Sequence, residues 1–322
     1  MSGLPAQLSI GVASFSAEDP GGWAHLAEQA RLLDEAGFDR LAVSDHVVFG
    51  EALEEYGRPE IGGQAGGRQP TGPDGHWLEP LTTLAYLAGI TSRIRLSTGI
   101  LLAALRRPVV LAKSAATLDT LSGGRLDLGV GVGWQRAEYD AAGLDFSARG
   151  GLLDDTLAVC QTLWREQRAA WDSPGLHFEA IHMMPKPVQP GGVPLWISGN
   201  VNPRVVSRLA RFGTGWIPWG QAAADIVTGI GQMKDALAAA GRDPGDLQVV
   251  GYLPLIRDDR RELDIAGTVA AVPRLAEAGV TDFRVSLRVP ADRSAALDQL
   301  SALARAFHDA APRAVSREPR RP

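Results

Sequence analysis

The sequence predicts an α/β fold: a single (β/α)8 TIM barrel with insertions after strand 2 and before strand 5. Short apolar runs of strand length recur, each followed by a longer stretch with helical spacing, which is the alternation of a parallel sheet wrapped by helices. There are eight such runs and no linker divides them into halves, so a closed barrel is favoured over a doubly wound open sheet. The 322 residues, 45% of them apolar, suffice to bury the core of one such barrel.

In chain order the strands are expected at LSIGVAS (8–14), RLAVS (40–44), IRLSTGI (94–100) and RLDLGVG (125–131), then PLWIS (194–198), GWIP (215–218), LQVVGYL (247–253) and DFRVSL (282–287). Between them lie helical stretches such as 23–37, 108–124 and 265–279, each ending in the glycine that favours a left-handed helix terminus. Residues 50–77 and 170–193 are too long and too rich in Gly and Pro for ordinary connections, so they read as the two insertions. The first follows a strand and is the natural substrate lid, the alternative being a plain surface loop. The barrel domain is assigned to 1–310 and a flexible basic tail to 311–322.

Composition removes several function classes. A net charge of −5, from 32 basic and 37 acidic residues, gives no phosphate-backbone footprint, so nucleic acid is not an expected partner. No secretion signal opens the chain and no apolar run approaches the roughly 18 residues of a membrane span. The expectation is a cytoplasmic protein with no membrane partner. Cys160 is the one cysteine and falls at a helical core position, where it reads as a buried thiol. The histidines lack metal-ligand spacing, so no metal is expected. There is no G-x-S-x-G elbow of the common hydrolases.

In a barrel the chemistry sits at the carboxyl ends of strands. Strand 2 ends in Asp45 and His46: the imidazole can exchange protons near neutral pH, and Asp45 could cap a turn or orient that ring. Strand 3 ends in Thr98, Gly99 and Ile100, and strand 4 in Gly129, Gly131 and Gly133. The glycine spacing refuses a dinucleotide fingerprint, because Trp134 and Arg136 stand where G-x-G-x-x-G needs glycine. Bare backbone on two neighbouring strands suits a broad flat ring, or else relieves crowding inside the barrel. After strand 5, Asn202 and Pro203 form a helix start that would attract an anion, with Arg204 adding charge.

Four stretches carry a family resemblance: AGFDRLAVSDH (36–46), the long block from SRIRLSTGI to DAAGLDF (92–146), MPKPVQPGGVPLWISGN (184–200) and GTGWIP (213–218). Together they resemble the luciferase-like monooxygenase superfamily, in its coenzyme F420-dependent oxidoreductase branch. The resemblance implies a deazaflavin at the C-terminal face, its ring against Thr98, Gly99, Ile100, Gly131 and Gly133. It also implies a cis peptide at Gly99–Ile100, Asp45 and His46 near the reactive face, and the cofactor phosphate at Ser198, Gly199 and Asn200. Glu138 and Tyr139 match a Glu-aromatic pair of the family. Trp134 stands where sugar-phosphate dehydrogenases of this branch carry an acidic glutamate, which makes a sugar phosphate a doubtful substrate. Trp134 either stacks on a ligand or packs in the core.

The activity so implied is hydride transfer between C5 of F420 and a small organic substrate, with His46 handling the proton. An alternative on the same fold is an FMNH2-dependent two-component monooxygenase, with FMN as cofactor; another is a non-catalytic flavin-binding relative. The resemblance further implies a homodimer, and a separate F420 or flavin reductase as partner.

Overall fold

The computed structural model of the chain describes residues 5–312, so the tail expected at 311–322 lies, from residue 313 on, outside the described residues. Eight parallel strands close into a barrel: β1 (Gln7–Gly11), β2 (Arg40–Val43), β3 (Arg95–Leu101), β4 (Leu126–Val130), β5 (Leu195–Gly199), β6 (Gly215–Pro218), β7 (Gln248–Tyr252) and β8 (Asp282–Val285). Each pairs with its chain neighbours and β8 returns to β1, with Gln7 opposite Asp282. The outward residues, such as Leu8, Ile10, Leu41, Leu96, Leu128 and Phe283, are fully buried or nearly so under the helices.

Those helices are α1 (Ala24–Ala36), α2 (Pro80–Ala88), α3 (Pro108–Ser122), α4 (Arg149–Arg165), α5 (Pro203–Phe212), α6 (Ile226–Ala239), α7 (Val272–Ala278) and α8 (Arg293–Ala310). Gly37, Gly123 and Gly279 end α1, α3 and α7 with φ of 91°, 68° and 115°, conformations that cost glycine least. The helix expected over 265–279 is instead two, Ile265–Val269 and α7. Pro273 has no N–H to donate to the carbonyl four residues back, so the helix breaks just before it. Among the described residues no helix is long and apolar enough to cross a membrane.

The barrel interior is polar at its floor. Arg40 reaches across to Asp127 at 3.2 Å and to Asp282, which also accepts from Ser9. Arg95 closes the layer with two bonds to Asp127 at 2.7 and 2.9 Å. Above it, Trp196, Ile217 and Val250 form an apolar plug on the β5–β7 side, with Ile100 packed against it.

The two insertions end up at opposite ends. Residues 50–77 follow β2 at the C-terminal mouth, run through short 3-10 turns and finish at His76–Trp77, paired with Phe15–Ser16. Residues 170–193 connect the end of α4 to the start of β5 and so lie at the floor; they begin with a hairpin, Ala169–Ser173 against Leu176–Ile181. There Lys186 donates to the Leu163 and Glu166 carbonyls that α4 leaves open, both at 2.6 Å. Cys160 is buried in α4, and burial pushes its thiol well above the ordinary range.

Candidate active site

The glycines at the end of β4 are explained by the end of β3. Thr98 sits opposite Leu128 and Leu101 opposite Val130, so β3 takes three steps where β4 takes two: a one-residue bulge. Gly99–Ile100, within it, is a cis peptide. The bulge presses the Thr98 carbonyl toward β4, where a Cβ on residue 129 would collide with it and stand 2.8 Å from Ile217 Cδ1. The Ile100 side chain fills the space a Cβ on residue 131 would need, and at residue 133 a Cβ would meet Leu102 at 2.9 Å. Gly129 and Gly131 therefore make room for neighbouring protein atoms, which corrects the idea that they offer a ligand bare backbone. Thr98 is also withdrawn: it is fully buried and its hydroxyl donates to the Gly129 carbonyl at 2.8 Å. Gly99 and Ile100 remain half-buried at the mouth.

His46 lies beside Glu138, not Asp45. Its Nδ1 is 3.2 Å from Glu138 Oε2, while Glu138 Oε1 accepts the Val47 amide at 2.8 Å. The carboxylate is wholly buried and can only accept, so it holds the hydrogen on Nδ1 and leaves Nε2 as the exchanging nitrogen. That nitrogen faces the Gln69 amide of the lid at 3.0 Å. Asp45 instead takes the Leu102 amide at 2.8 Å and the Arg106 guanidinium at 2.6 and 3.1 Å, fixing the chain just past the bulge. Asp45 and His46 lie past the end of β2, in the connection that follows it, and the two adjacent side chains find different partners.

Around His46 stand Phe49, Trp77 and Trp134, with ring centroids 4.5, 4.8 and 5.9 Å away. Trp134 is buried, edges onto Tyr56 of the 50–77 insertion, and its indole N–H has no partner among the described residues. Tyr139 is a correction: it is fully buried and its hydroxyl donates to the Val132 carbonyl at 2.6 Å, so it braces the loop after β4 rather than meeting a cofactor. Burial pushes its phenol well above the ordinary range. The lid reaches across to β6, where the Trp219 indole donates to the Gly62 and Gly63 carbonyls at 3.2 and 3.1 Å.

The helix start after β5 is less open than its sequence implies. Pro203 has no amide, and Asn202 Oδ1 already accepts from Arg204 and Val205, each at 3.1 Å. Asn200 is engaged through Oδ1 with the Ala222 amide at 3.0 Å. Gly199 has φ of 149°, and a Cβ there would meet Val205 at 2.7 Å, so its bareness serves packing against α5; Ser198 is half-buried. What the sequence did not reveal is a cationic cluster close by. Arg136 and Arg149 lie over the Phe146 ring, 4.7 and 3.9 Å from its centroid. Burial, then the charges of Arg136 and Arg204, push the Arg149 guanidinium below its ordinary range, and its Nε is buried without a partner. These three arginines come from segments with no shared motif.

The open space at the mouth lies on the other side, a cavity of about 830 Å3 at the ends of β1, β2, β3, β7 and β8. Gly11, Phe15, Ser44, Gly99 and Arg284 line it. Ser44 Oγ is buried with no partner among the described residues. The wall toward His46 is the stacked pair Phe15–Trp77, with centroids 4.4 Å apart.

A parallel barrel with a bulged β3, a buried carboxylate–imidazole pair at the strand ends and a lid after β2 defines a class of barrel enzyme, and comparison with known proteins gives the family. The luciferase-like monooxygenase family profile matches residues 8–268, and the chain belongs to that family of oxidoreductases and monooxygenases. An uncharacterized protein of Mycobacterium tuberculosis is 32% identical over 281 residues, covering 86% of this chain and 92% of the relative. The F420-dependent glucose-6-phosphate dehydrogenase of Kineococcus radiotolerans is 29% identical over 234 residues, 71% of this chain and 61% of its own. Among solved structures, an F420-dependent secondary alcohol dehydrogenase in complex with an F420–acetone adduct matches with TM-score 0.71 at 16% identity, covering 94% of this chain and 99% of the other. A monooxygenase from Streptomyces bottropensis matches with TM-score 0.67 at 22% identity, covering 94% and 98%.

Proposed function

We propose that the protein is an F420-dependent oxidoreductase acting on a small organic substrate at the barrel mouth. The observation that carries this reading is the juxtaposition of the half-buried Gly99–Ile100 bulge with an open cavity on one side and the His46–Glu138 pair on the other. The residues present suit a deazaflavin. The cavity is within the usual size for cofactor and ligand sites, the Trp134 indole N–H is a buried donor without a partner among the described residues, and the arginine cluster suits an anionic tail.

When bound in its reduced form, the deazaflavin would supply a hydride from C5. Gly99 and Ile100 would orient its ring; Arg136, Arg149 and Arg204 would hold its phosphate, with Ser198, Gly199 and Asn200 bordering that site. His46 gives or takes the accompanying proton at Nε2, once Gln69 lets go of it, and Glu138 stabilises the imidazolium through Nδ1. The lid excludes water over the β4 and β6 ends.

Fluorescence titration of the purified protein with F420 and with FMN, each oxidised and reduced, tests the reading. Micromolar binding of F420 is expected. Binding of FMN alone, with oxygen consumed on reduction, would replace the proposal with a flavin monooxygenase on the same fold.

A further inference from the structure

We propose that the cavity at the mouth takes an organic carboxylate with an apolar body, its carboxylate bound by Arg284. The inference rests on the mouth being the substrate site of the reading above, and it names the substrate class.

Arg284 is the second inward residue of β8, after Asp282, and only 7% exposed. Other buried arginines of this protein are paired: Arg40 with Asp127 and Asp282, Arg106 with Asp45, Arg208 with Asp154. Arg284 makes no ion pair among the described residues. Its one hydrogen bond there runs from Nε to Ser9 Oγ, a long and weak contact of 3.5 Å. Among the described residues both terminal nitrogens are uncommitted, and Arg284 lines the cavity. A Cβ on residue 99 would stand 3.2 Å from Nη1 and 3.3 Å from the Ala42 Cβ, so the guanidinium lies directly beneath the bulge. Small residues make that space: next to Gly11 nothing approaches within 4 Å of where a Cβ would be.

A buried guanidinium without a counter-ion is costly, and a planar fork of N–H donors matches a carboxylate with two parallel bonds. Ser44 Oγ, buried and unpartnered on the same wall, can donate a third. One guanidinium and one hydroxyl balance a single negative charge. Val12, Phe15, Leu32, Val285 and Leu287 supply an apolar wall that suits a hydrocarbon body, while the exposed lining includes His25, Arg288 and Arg293, the last paired with Glu28.

Calorimetric titration of the full chain with cinnamate and with its neutral amide, cinnamamide, without cofactor, tests this. Cinnamate is expected to bind at least about tenfold more tightly than the amide. Arg284→Met, of similar length but uncharged, should remove that preference, while Arg284→Lys keeps part of it and Ser44→Ala weakens cinnamate about threefold. Equal affinity for acid and amide in the wild type would overturn the proposal, as would undiminished cinnamate binding by Arg284→Met. Displacement of cinnamate by equimolar inorganic phosphate would reassign the site to phosphorylated compounds. F420 affinity, measured in parallel, should be unchanged in Arg284→Met; its loss with cinnamate binding intact would place Arg284 in the cofactor site. If FMN rather than F420 binds the wild type, the cofactor reading fails while the carboxylate preference still stands or falls by itself.

Discussion

The two ends of the barrel treat their buried polar groups differently. At the floor nearly every group is matched: Asp127 serves Arg40 and Arg95, and Asp119 receives the Val188 and Gln189 amides and the Gln189 side chain. At the mouth, Ser44, Trp134 and Arg149 each keep a buried polar atom without a partner, and Arg284 has almost none. Gln7 Oε1, and the Trp196 indole N–H beside Arg40, are exceptions toward the floor. A folded chain satisfies its buried donors wherever only stability is at stake, so the open donors of Ser44 and Arg284 on one cavity fit a ligand's place.

The largest test of that contrast removes one carboxylate from the floor and one guanidinium from the mouth. Asp127→Ala leaves Arg95 unpaired and takes one of two partners from Arg40, which is 3% exposed. Uncompensated buried charge of this kind costs about 3–5 kcal/mol, so thermal or urea unfolding should show a loss on that scale, or no folded protein. Arg284→Met strands no acidic partner and should change stability by less than about 1 kcal/mol. A large loss from the second substitution, or none from the first, would erase the distinction between the two ends.

Much of this arrangement was legible in the chain, and the rest was hidden for identifiable reasons. Each barrel strand falls within a few residues of its expected span, because alternation sends Leu8, Leu41, Leu96 and Leu128 outward as an apolar repeat that needs no tertiary knowledge. The position of the glycines was readable too, but not what fills them: Ile100 lies against Gly131 only through the bulge. Glu138 meets His46 across 92 residues of chain, and no local spacing announces such a pair. Asp45 looked like the partner because it is adjacent, but in the connection after β2 it is held by the Leu102 amide and Arg106. Arg204 was read beside an anion-attracting helix start, but Arg136 and Arg149 come close to it from a separate segment, and nothing local in the chain announces that grouping.

A smaller effect, confined to chemistry, is expected at Glu138. Glu138→Gln keeps the side chain's size and its capacity to accept from Val47, but removes the charge facing His46 Nδ1. Turnover with F420 and an accepted substrate should drop about 10–100-fold while KM and unfolding temperature barely move, because the lost interaction matters most when the imidazole carries its extra proton. Asp45→Asn should do the reverse, lowering the unfolding temperature by loosening Arg106 and the Leu102 turn. If Glu138→Gln lowers stability and spares kcat, Glu138 is a brace for Val47 and nothing more.

The smallest effect separates location from role, since Tyr139 stands near the mouth yet resembles the floor. Its phenol is buried and donates to the Val132 carbonyl, so Tyr139→Phe strips that carbonyl of its donor and should cost about 1–2 kcal/mol at neutral pH. Burial holds the folded-state pKa above the value near 10 of an unfolded tyrosine. The folded chain then keeps a proton that the unfolded chain gives up, so stability is fully present below about pH 10 and declines as pH rises beyond it. Tyr139→Phe has no such proton, and the stability gap between wild type and variant should narrow between pH 7 and pH 10.5 in parallel urea titrations. F420 affinity should be the same in both proteins. A variant that unfolds like wild type but binds F420 more weakly would return Tyr139 to the cofactor's surroundings and show that a satisfied donor is no guide to which end of the barrel a residue serves.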